Sequence, residues 1–259
     1  MTGRSTNSPQ LSIVIPMYNE REVLPKLLAQ LPNKEAWEVL VVDGQSTDGS
    51  WDWLQQQKKV TALQSPRGRA LQQNRGAKAA QGIHLLFLHV DSVVSDTAWK
   101  QLEVALEAGV PLACFRLAFD HSHPLFRLAA YGSRWSHLLF RGGDQGLVVS
   151  SDLLAAVGGF DERYTVCEDL DLFGRLMKKE QLKVFSGSIT TSSRRFLSQG
   201  IGATFFHFRV IHFLHYCGVG PRLLDRYYRY WLLPKSFSKQ IVGGENDKVD
   251  QSTKNSIDK

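Results

Sequence analysis

The sequence predicts an α/β domain built on a mostly parallel central sheet flanked by helices, and three observations carry that prediction. Residues 11–16 (LSIVIP) and 38–43 (EVLVVD) are short, β-branched apolar runs that stop at turn residues, as strands buried on both faces do. Between them a helix over residues 20–31 aligns Val23, Leu24, Leu27, Leu28 and Leu31 on one stripe. Strand, helix and strand in this order form the βαβ unit of a parallel sheet. The pattern then repeats, with a helix at 50–57, a strand at 60–64, an alanine-rich helix at 68–80 and a buried strand at 83–89 (IHLLFLH). Past that point the alternation ends. A helix at 96–108, a strand at 112–119, the segment 121–140 and helices near 152–157 and 169–179 read as α+β material added to the sheet.

The chain has 259 residues, 43% of them hydrophobic and 22% charged, which is enough for one sizeable core and one domain. That domain is expected over residues 11–234, as a first half (11–92), a second half (93–199) and C-terminal helices (200–234). Residues 1–10 and 235–259 are polar and expected to be disordered. The formal net charge of +6 and pI near 9.2 attract nucleic acid, anionic lipid and phosphorylated ligands alike, so charge alone selects none of them. Cys114, Cys167 and Cys217 lie far apart, which signals neither a disulfide framework nor a zinc site and fits a reducing compartment such as the cytoplasm. The N-terminus lacks the apolar stretch of a signal peptide, and no run is long enough to span a bilayer.

In an open α/β sheet ligands bind beyond the carboxyl ends of the strands, and three runs end there in polar signals. They are Pro16-Met17-Tyr18-Asn19-Glu20, then Asp43-Gly44-Gln45-Ser46-Thr47-Asp48-Gly49, then His89-Val90-Asp91-Ser92. Singly, each is ordinary loop and capping chemistry. A carboxylate such as Asp43 accepts hydrogen bonds from a base ring or a ribose hydroxyl; the alternative is a turn carboxylate capping the next helix, for which Asp48 stands better placed.

The segments SIVIPMYNE (12–20) and VVDGQSTDG (41–49), with Gly143-Asp144-Gln145-Gly146 further on, resemble glycosyltransferase family 2, and within it a small bacterial subgroup carrying a GDQG segment. The similarity runs over about residues 11–233, with several spaced motifs in order. It implies a GT-A nucleotide-diphospho-sugar transferase fold that binds a nucleoside diphosphate sugar, UDP-linked, over the first half of the sheet. On that mapping Pro16, Tyr18 and Glu20 border the nucleoside and Asp43 hydrogen-bonds the base.

Arg67, Arg69 and Asn74, around Gly68 and Gly76, open the helix at 68–80. Free N–H groups, a helix dipole and guanidinium forks suit a diphosphate, and the family resemblance puts this segment in the donor site; a solvated basic loop is the alternative. His89-Val90-Asp91 sits where the family carries its D-x-D metal motif. Asp91 maps onto the last position as ligand to Mn²⁺ or Mg²⁺, which would offset the charge of the departing pyrophosphate. His89 replaces the first acid, and a histidine packed at a strand end is as good a reading of it as a ligand.

Cys167-Glu168-Asp169-Leu170-Asp171 opens a helix after Gly158-Gly159-Phe160-Asp161. Acids at a helix start are commonly dipole partners, but the resemblance makes Asp169 the base that deprotonates the acceptor, with Glu168 beside it. A single displacement then inverts the anomeric carbon. Asp144 and Gln145 in the glycine loop are expected beside acceptor and donor sugar, and Arg194 and Arg195 on a loop near the diphosphate. Residues 200–234 interleave aromatics with arginines, a mixture that suits contact with an anionic membrane face or packing on the domain.

The expected function is therefore transfer of one sugar to a hydroxyl or carboxyl acceptor, lipid-like or a carotenoid acid as the resemblance suggests, by an enzyme of the cytoplasm or the inner membrane face. Nucleic acid is not an expected partner, since the strand-end carboxylates would repel a phosphate backbone. Two other classes stay open. A nucleotidyltransferase would place a glycine-rich basic loop after the first strand, where this chain reads PMYNERE. A non-catalytic relic of the fold is made thinkable by His89.

Overall fold

The computed structural model describes residues 9–233, so the expected disorder at 235–259 and at most of 1–10 falls outside it. Its strands are β1 (Leu11–Met17), β2 (Trp37–Asp43), β3 (Thr61–Gln64), β4 (His84–Phe87), β5 (Val93–Val94), β6 (Leu112–Phe119), β7 (Leu147–Ser150) and β8 (Lys183–Thr191). They form one sheet in the order β3-β2-β1-β4-β7-β6-β8-β5. The β1–β2, β1–β4, β2–β3 and β6–β8 pairs are parallel, while β7 runs against both of its neighbours and β5 against β8. The mostly parallel sheet read from the sequence is what the chain folds into.

The α-helices among the described residues are α1 (Leu24–Gln30), α2 (Ser50–Leu54), α3 (Arg69–Ala79), α4 (Asp96–Glu107), α5 (Pro124–Gly132), α6 (Ser151–Ala156), α7 (Glu168–Leu176), α8 (Arg194–Gln199), α9 (Ile201–Tyr216) and α10 (Pro221–Leu232). Every residue of β1 is buried, and alternate side chains serve opposite layers. Ile13 and Ile15 join Leu24, Leu54 and Leu102 on one face. Val14 joins Ala70, Leu154 and Leu172 on the other. Gly76 lets α3 lie close on this second face, since a Cβ there would stand 2.3 Å from Val14 Cγ1. That close approach fixes where Arg69, at the start of the same helix, points.

Several elements differ from the sequence expectation, β5 and β7 among them, which were not read as strands. The first helix begins at Leu24 rather than residue 20, because Asn19 takes a left-handed conformation (φ 54°) and belongs to the loop, while Pro25 suits a first helical turn. Strand β8 was not expected, as its KVFSGSITT sequence alternates apolar residues with serine, glycine and threonine instead of forming an apolar run. Arg194 and Arg195 open α8 rather than lying on a loop.

The C-terminal helices divide their surfaces. Ile211, Leu224 and Leu232 pack with Cys167 and Leu170 in a third apolar cluster that seats α9 and α10 against α7. Phe206, Phe213, Tyr216, Tyr230 and Trp231 are exposed. No helix among the described residues is long and apolar enough to cross a membrane.

Candidate functional site

The loops leaving β1 and β2 are stitched to each other at the carboxyl edge of the sheet. The Asn19 N–H donates to Ser46 Oγ (2.8 Å) and the Asn19 side-chain oxygen accepts from Thr47 N–H (2.8 Å). Asn19 and Gln45 both sit at positive φ, a conformation that costs a non-glycine residue of order 1 kcal/mol and that collects at binding edges. Asp43 is wholly buried; both carboxylate oxygens accept the Ser46 N–H (3.2 and 3.1 Å), and Gln64 Nε2 stands 3.4 Å away. Burial works to raise the Asp48 carboxyl, but hydrogen bonds from the Ser50 hydroxyl and from the Arg21 and Ser50 N–H groups together hold it below the ordinary range. The Arg67 guanidinium lies 4.0 Å from the centre of the Tyr18 ring.

Beside this edge opens a cavity of about 580 Å³ whose one end is bordered by Pro16, Tyr18, Glu20 and Asp91 and whose middle is bordered by Glu168 and Asp169. Both members of the acid pair are buried at the start of α7. The residue before them, Cys167, is left-handed (φ 65°), which turns the chain so that the two carboxyls enter the cavity. Burial first, and the Glu168 charge second, push the Asp169 carboxyl up to about 6, against the opposing pull of His89 and Arg69. Arg69 Nη1 stands 3.1 Å from Glu168 Oε1 and 3.8 Å from Asp169 Oδ2. The pairing is one of charge: Glu168 Oε1 still lacks a well-aligned hydrogen bond.

His89 and Asp144 form the floor. Nδ1 of His89 is 2.9 Å from Asp144 Oδ1. Burial and the Arg69 charge lower the His89 pKa, but the hydrogen bond and charge of Asp144, with Asp169 behind it, outweigh them and the net shift is upward. Burial works to raise Asp144; the His89 bond and the charges of His89, Arg69 and Arg195 hold it below its ordinary value. Between them runs the backbone of Gly143, where a Cβ would fall 2.0 Å from Asp169 Oδ2 and 2.9 Å from His89 Cε1. The glycine loop closes on the acid pair, and Gly142, Gly143, Asp144 and Gln145 line the cavity.

The far end of the cavity is apolar and aromatic. Phe119, Phe196, Phe205 and Phe208 line it, with ring centres of Phe196 4.8 Å from Phe205 and 6.0 Å from Phe208. Arg195 reaches into it, donating to the Tyr228 hydroxyl and lying 5.8 Å from the Phe208 ring, whereas Arg194 pairs with Glu20 across the cleft at 3.7 Å. His212, also lining this end, is pushed down to about 4 by burial and by the charge of Arg209, so it is neutral at physiological pH.

Of the predicted site residues, Asn74, Asp43, Arg67 and Arg194 are not among those that line the cavity. The Asn74 amide donates to Phe160 O and to Glu162 Oε1 and accepts the Phe160 N–H, all at 2.9 Å. Both of its N–H donors are thus engaged in clamping the loop before α7. Gln145 lines the cavity and also anchors the glycine loop, donating to the Phe140 carbonyl and accepting from Cys114. Sequence reasoning missed Arg141, which is fully buried and donates to Cys114 Sγ (2.7 Å) and to the Ser133 and Trp135 carbonyls (2.8 and 2.6 Å). Next to a glycine-rich loop it gave no signal of being a core residue.

Residues 12–147, more than half of the chain and the part that builds the edge formed by the β1 and β2 loops and the glycine loop, match the model of Glycosyl transferase family 2. The chain belongs to this family. Among curated proteins it is 33% identical over 116 residues to TuaG of Bacillus subtilis (strain 168), a glycosyltransferase ascribed to teichuronic acid biosynthesis, covering 41% of this chain and 44% of that one. It is 33% identical over 100 residues to the poly(ribitol-phosphate) beta-glucosyltransferase of Bacillus spizizenii, covering 34% and 16%. The matched part thus spans less than half the length of these curated relatives. Its fold is the GT-A fold of solved glycosyltransferases. The Pyrobaculum calidifontis mannosyltransferase PcManGT, solved with GDP-Man and Mn²⁺, superposes with a TM-score of 0.60 at 18% identity over 86% of this chain and 70% of that one. S. aureus TarS 1-349, solved with UDP, gives 0.58 at 16% identity over 90% and 69%.

For a divalent cation, the family 2 chain offers a partial donor set. Among the described residues no group of three or more histidine, cysteine or acid side chains is assembled to cage an ion. His89 has Nδ1 committed to Asp144 and a buried Nε2 without a partner, and Asp91 borders the cavity near Glu20. Mg²⁺ and Mn²⁺ commonly bind through one or two carboxylates and complete their shells with substrate phosphates and water. The residues present fit an ion shared with a bound diphosphate.

Proposed function

We propose that this family 2 enzyme transfers one sugar from a nucleoside diphosphate sugar to an acceptor oxygen, with Asp169 as base and inversion at the anomeric carbon. One observation carries the proposal: a buried carboxyl whose pKa is raised to about 6 faces the same cavity as the polar strand-end residues. A base needs a pKa close to the working pH and a position inside the reaction space, and Asp169 meets both conditions. The acceptor oxygen attacks the anomeric carbon as the sugar–phosphate bond breaks. Its proton passes to Asp169, and the nucleoside diphosphate leaves on the opposite face.

The donor nucleoside would lie against Pro16 and Tyr18, with Arg67 over the Tyr18 ring and Asp43 beneath the edge, and UDP is the carrier we favour because TarS, which shares this fold, was solved with UDP. Arg69 and Arg195 would meet the diphosphate. A divalent cation held by Asp91, with His89 at hand, would offset the charge that develops on the leaving diphosphate. Asp144 keeps His89 oriented, and burial, with the Glu168 charge second, keeps Asp169 half-protonated near pH 6 rather than near 4. The aromatic far end suits an acceptor whose hydroxyl or carboxyl is carried on an apolar, lipid-like body.

Purified protein with UDP-sugars and a long-chain alcohol acceptor tests this directly. UDP release abolished by a chelator, with proton NMR of the product showing the anomeric configuration opposite to the donor's, is the expected outcome. Retained configuration would reject the single displacement. Release of no nucleotide from any nucleoside diphosphate sugar, with or without Mn²⁺, would reject the activity.

A further inference from the structure

We infer that α5, α9 and α10 together form a docking face for an anionic lipid bilayer, at the apolar end of the cavity. The three helices show a marked charge imbalance. They carry Arg127, Arg209, Arg222, Arg226 and Arg229 against a single acid, Asp225, and Asp225 is engaged by Arg229 and Thr165. Their exposed sides are also apolar. On α9, Phe206, Arg209, Phe213 and Tyr216 are exposed at spacings of three and four residues, which places them on one side of the helix. On α10, Leu223, Arg226 and Tyr230 repeat that spacing with Arg222 beside Leu223, and Tyr230 is 75% exposed.

The two helices share the surface. His207 stacks on Trp231 at 4.8 Å and touches Phe206 at 5.5 Å, and Trp231 touches Tyr230 at 4.9 Å, so the exposed rings form a continuous chain. On α5, Leu128 and Tyr131 are exposed, and Tyr131 contacts Trp135 at 5.0 Å. Rings and leucines of this kind enter the headgroup zone of a bilayer, and arginines among them meet lipid phosphate. A second copy of the chain would present the same five arginines and would be repelled, which is why the occupant is a bilayer.

The face is continuous with the cavity. Leu139 both lines the cavity and is exposed. Phe205, Phe208 and His212 line it from α9, and Tyr228 from α10. An apolar acceptor could therefore enter from the lipid without crossing water; this last step rests on the proposed transfer, while the docking itself does not.

Co-sedimentation of the full chain with vesicles of equal parts phosphatidylcholine and phosphatidylglycerol, against pure phosphatidylcholine, tests the docking. Binding to the anionic vesicles at low salt is expected, weakened by added salt and by about tenfold or more in Arg222→Glu/Arg226→Glu. Tyr230→Ala/Leu223→Ala should weaken binding at every salt concentration. All four side chains are exposed, so circular dichroism should match the wild type, and UDP affinity should be unchanged. Absence of binding to either vesicle, or binding that both variants leave intact, would overturn the inference. So would a dimer in analytical ultracentrifugation that Tyr230→Ala/Leu223→Ala dissolves, because the face would then be covered by a second copy. Unchanged docking in a protein that transfers no sugar would refute the transferase reading alone.

Discussion

Arg69 Nη1 lies 3.1 Å from Glu168 Oε1, so a side chain from the first turn of α3 rests on the acid pair that opens α7. The Arg69 side chain is 47% exposed but Glu168 only 2%, so removing Arg69 leaves a buried carboxylate without its counter-charge. Arg69→Met is therefore expected to cost some thermal stability and to lower UDP affinity roughly ten- to a hundredfold, the worth of a charge-assisted contact. Calorimetry with UDP reads the affinity. A large fall in melting temperature with unchanged UDP binding would make Arg69 a structural brace instead.

Asp169 carries the pH dependence. With its carboxyl raised to about 6, turnover should rise with pH through that region as the base ionises, and Asp169→Asn should lower transfer by ~10² or more with UDP binding retained. The sign for stability is opposite to that of a salt-bridged acid. The native state binds this proton more tightly than the unfolded chain does, so stability falls as pH rises from ~4 to ~6 and stays lower above that window. Asp169→Asn should then be more stable than wild type at neutral pH, by at most about 2–3 kcal/mol, and equal to it below pH ~4. Denaturant melts at both pH values check this; a variant less stable at pH 7 would show that the ionised carboxylate is well solvated.

Asn74→Ala separates the structural reading of this residue from the donor-site expectation. Removing its amide frees the Phe160 N–H and carbonyl, a loss of about 1–3 kcal/mol for a part-buried cluster. UDP affinity should not change. A variant of wild-type stability with weakened UDP binding would restore the donor-site role.

What the sequence made legible follows from how each element is buried. β1, β2 and β4 are covered on both faces, so their apolar runs stand out, and the strand-end positions of Tyr18, Asp43 and Asp91 came with them. β8 keeps one face against α4 and the other among polar residues, and small side chains such as Gly187, whose position lies against Ala98, erase the apolar signal. Polar residues at strand ends were harder to sort. Asn74 and Asp144 carry the same kind of chemistry in the sequence, yet one clamps a loop and the other orients His89, because only the folded chain decides which partner each one meets. The contact of Arg69 with Glu168 joins segments far apart in the sequence, and no local pattern announces it.

Gly143→Ala tests whether the glycine loop sets the position of the base. The added methyl would stand 2.0 Å from Asp169 Oδ2 and 2.7 Å from its Cγ, well inside van der Waals contact, and Asp169 is the smaller, more movable group because the loop is anchored by Gln145 to Phe140. The carboxylate should therefore be displaced while the donor-side edge, built from the β1 and β2 loops, stays as it is. Misplacing a base by about 1 Å can cost ~10² in rate, so transfer should fall by a factor of that order with UDP affinity near wild type. Gly142→Ala provides the comparison, since a Cβ there meets nothing within 4 Å and activity should survive. If Gly142→Ala is as damaging as Gly143→Ala, the loop works through its flexibility; if neither matters, Asp169 moves freely and its position is not what the loop controls.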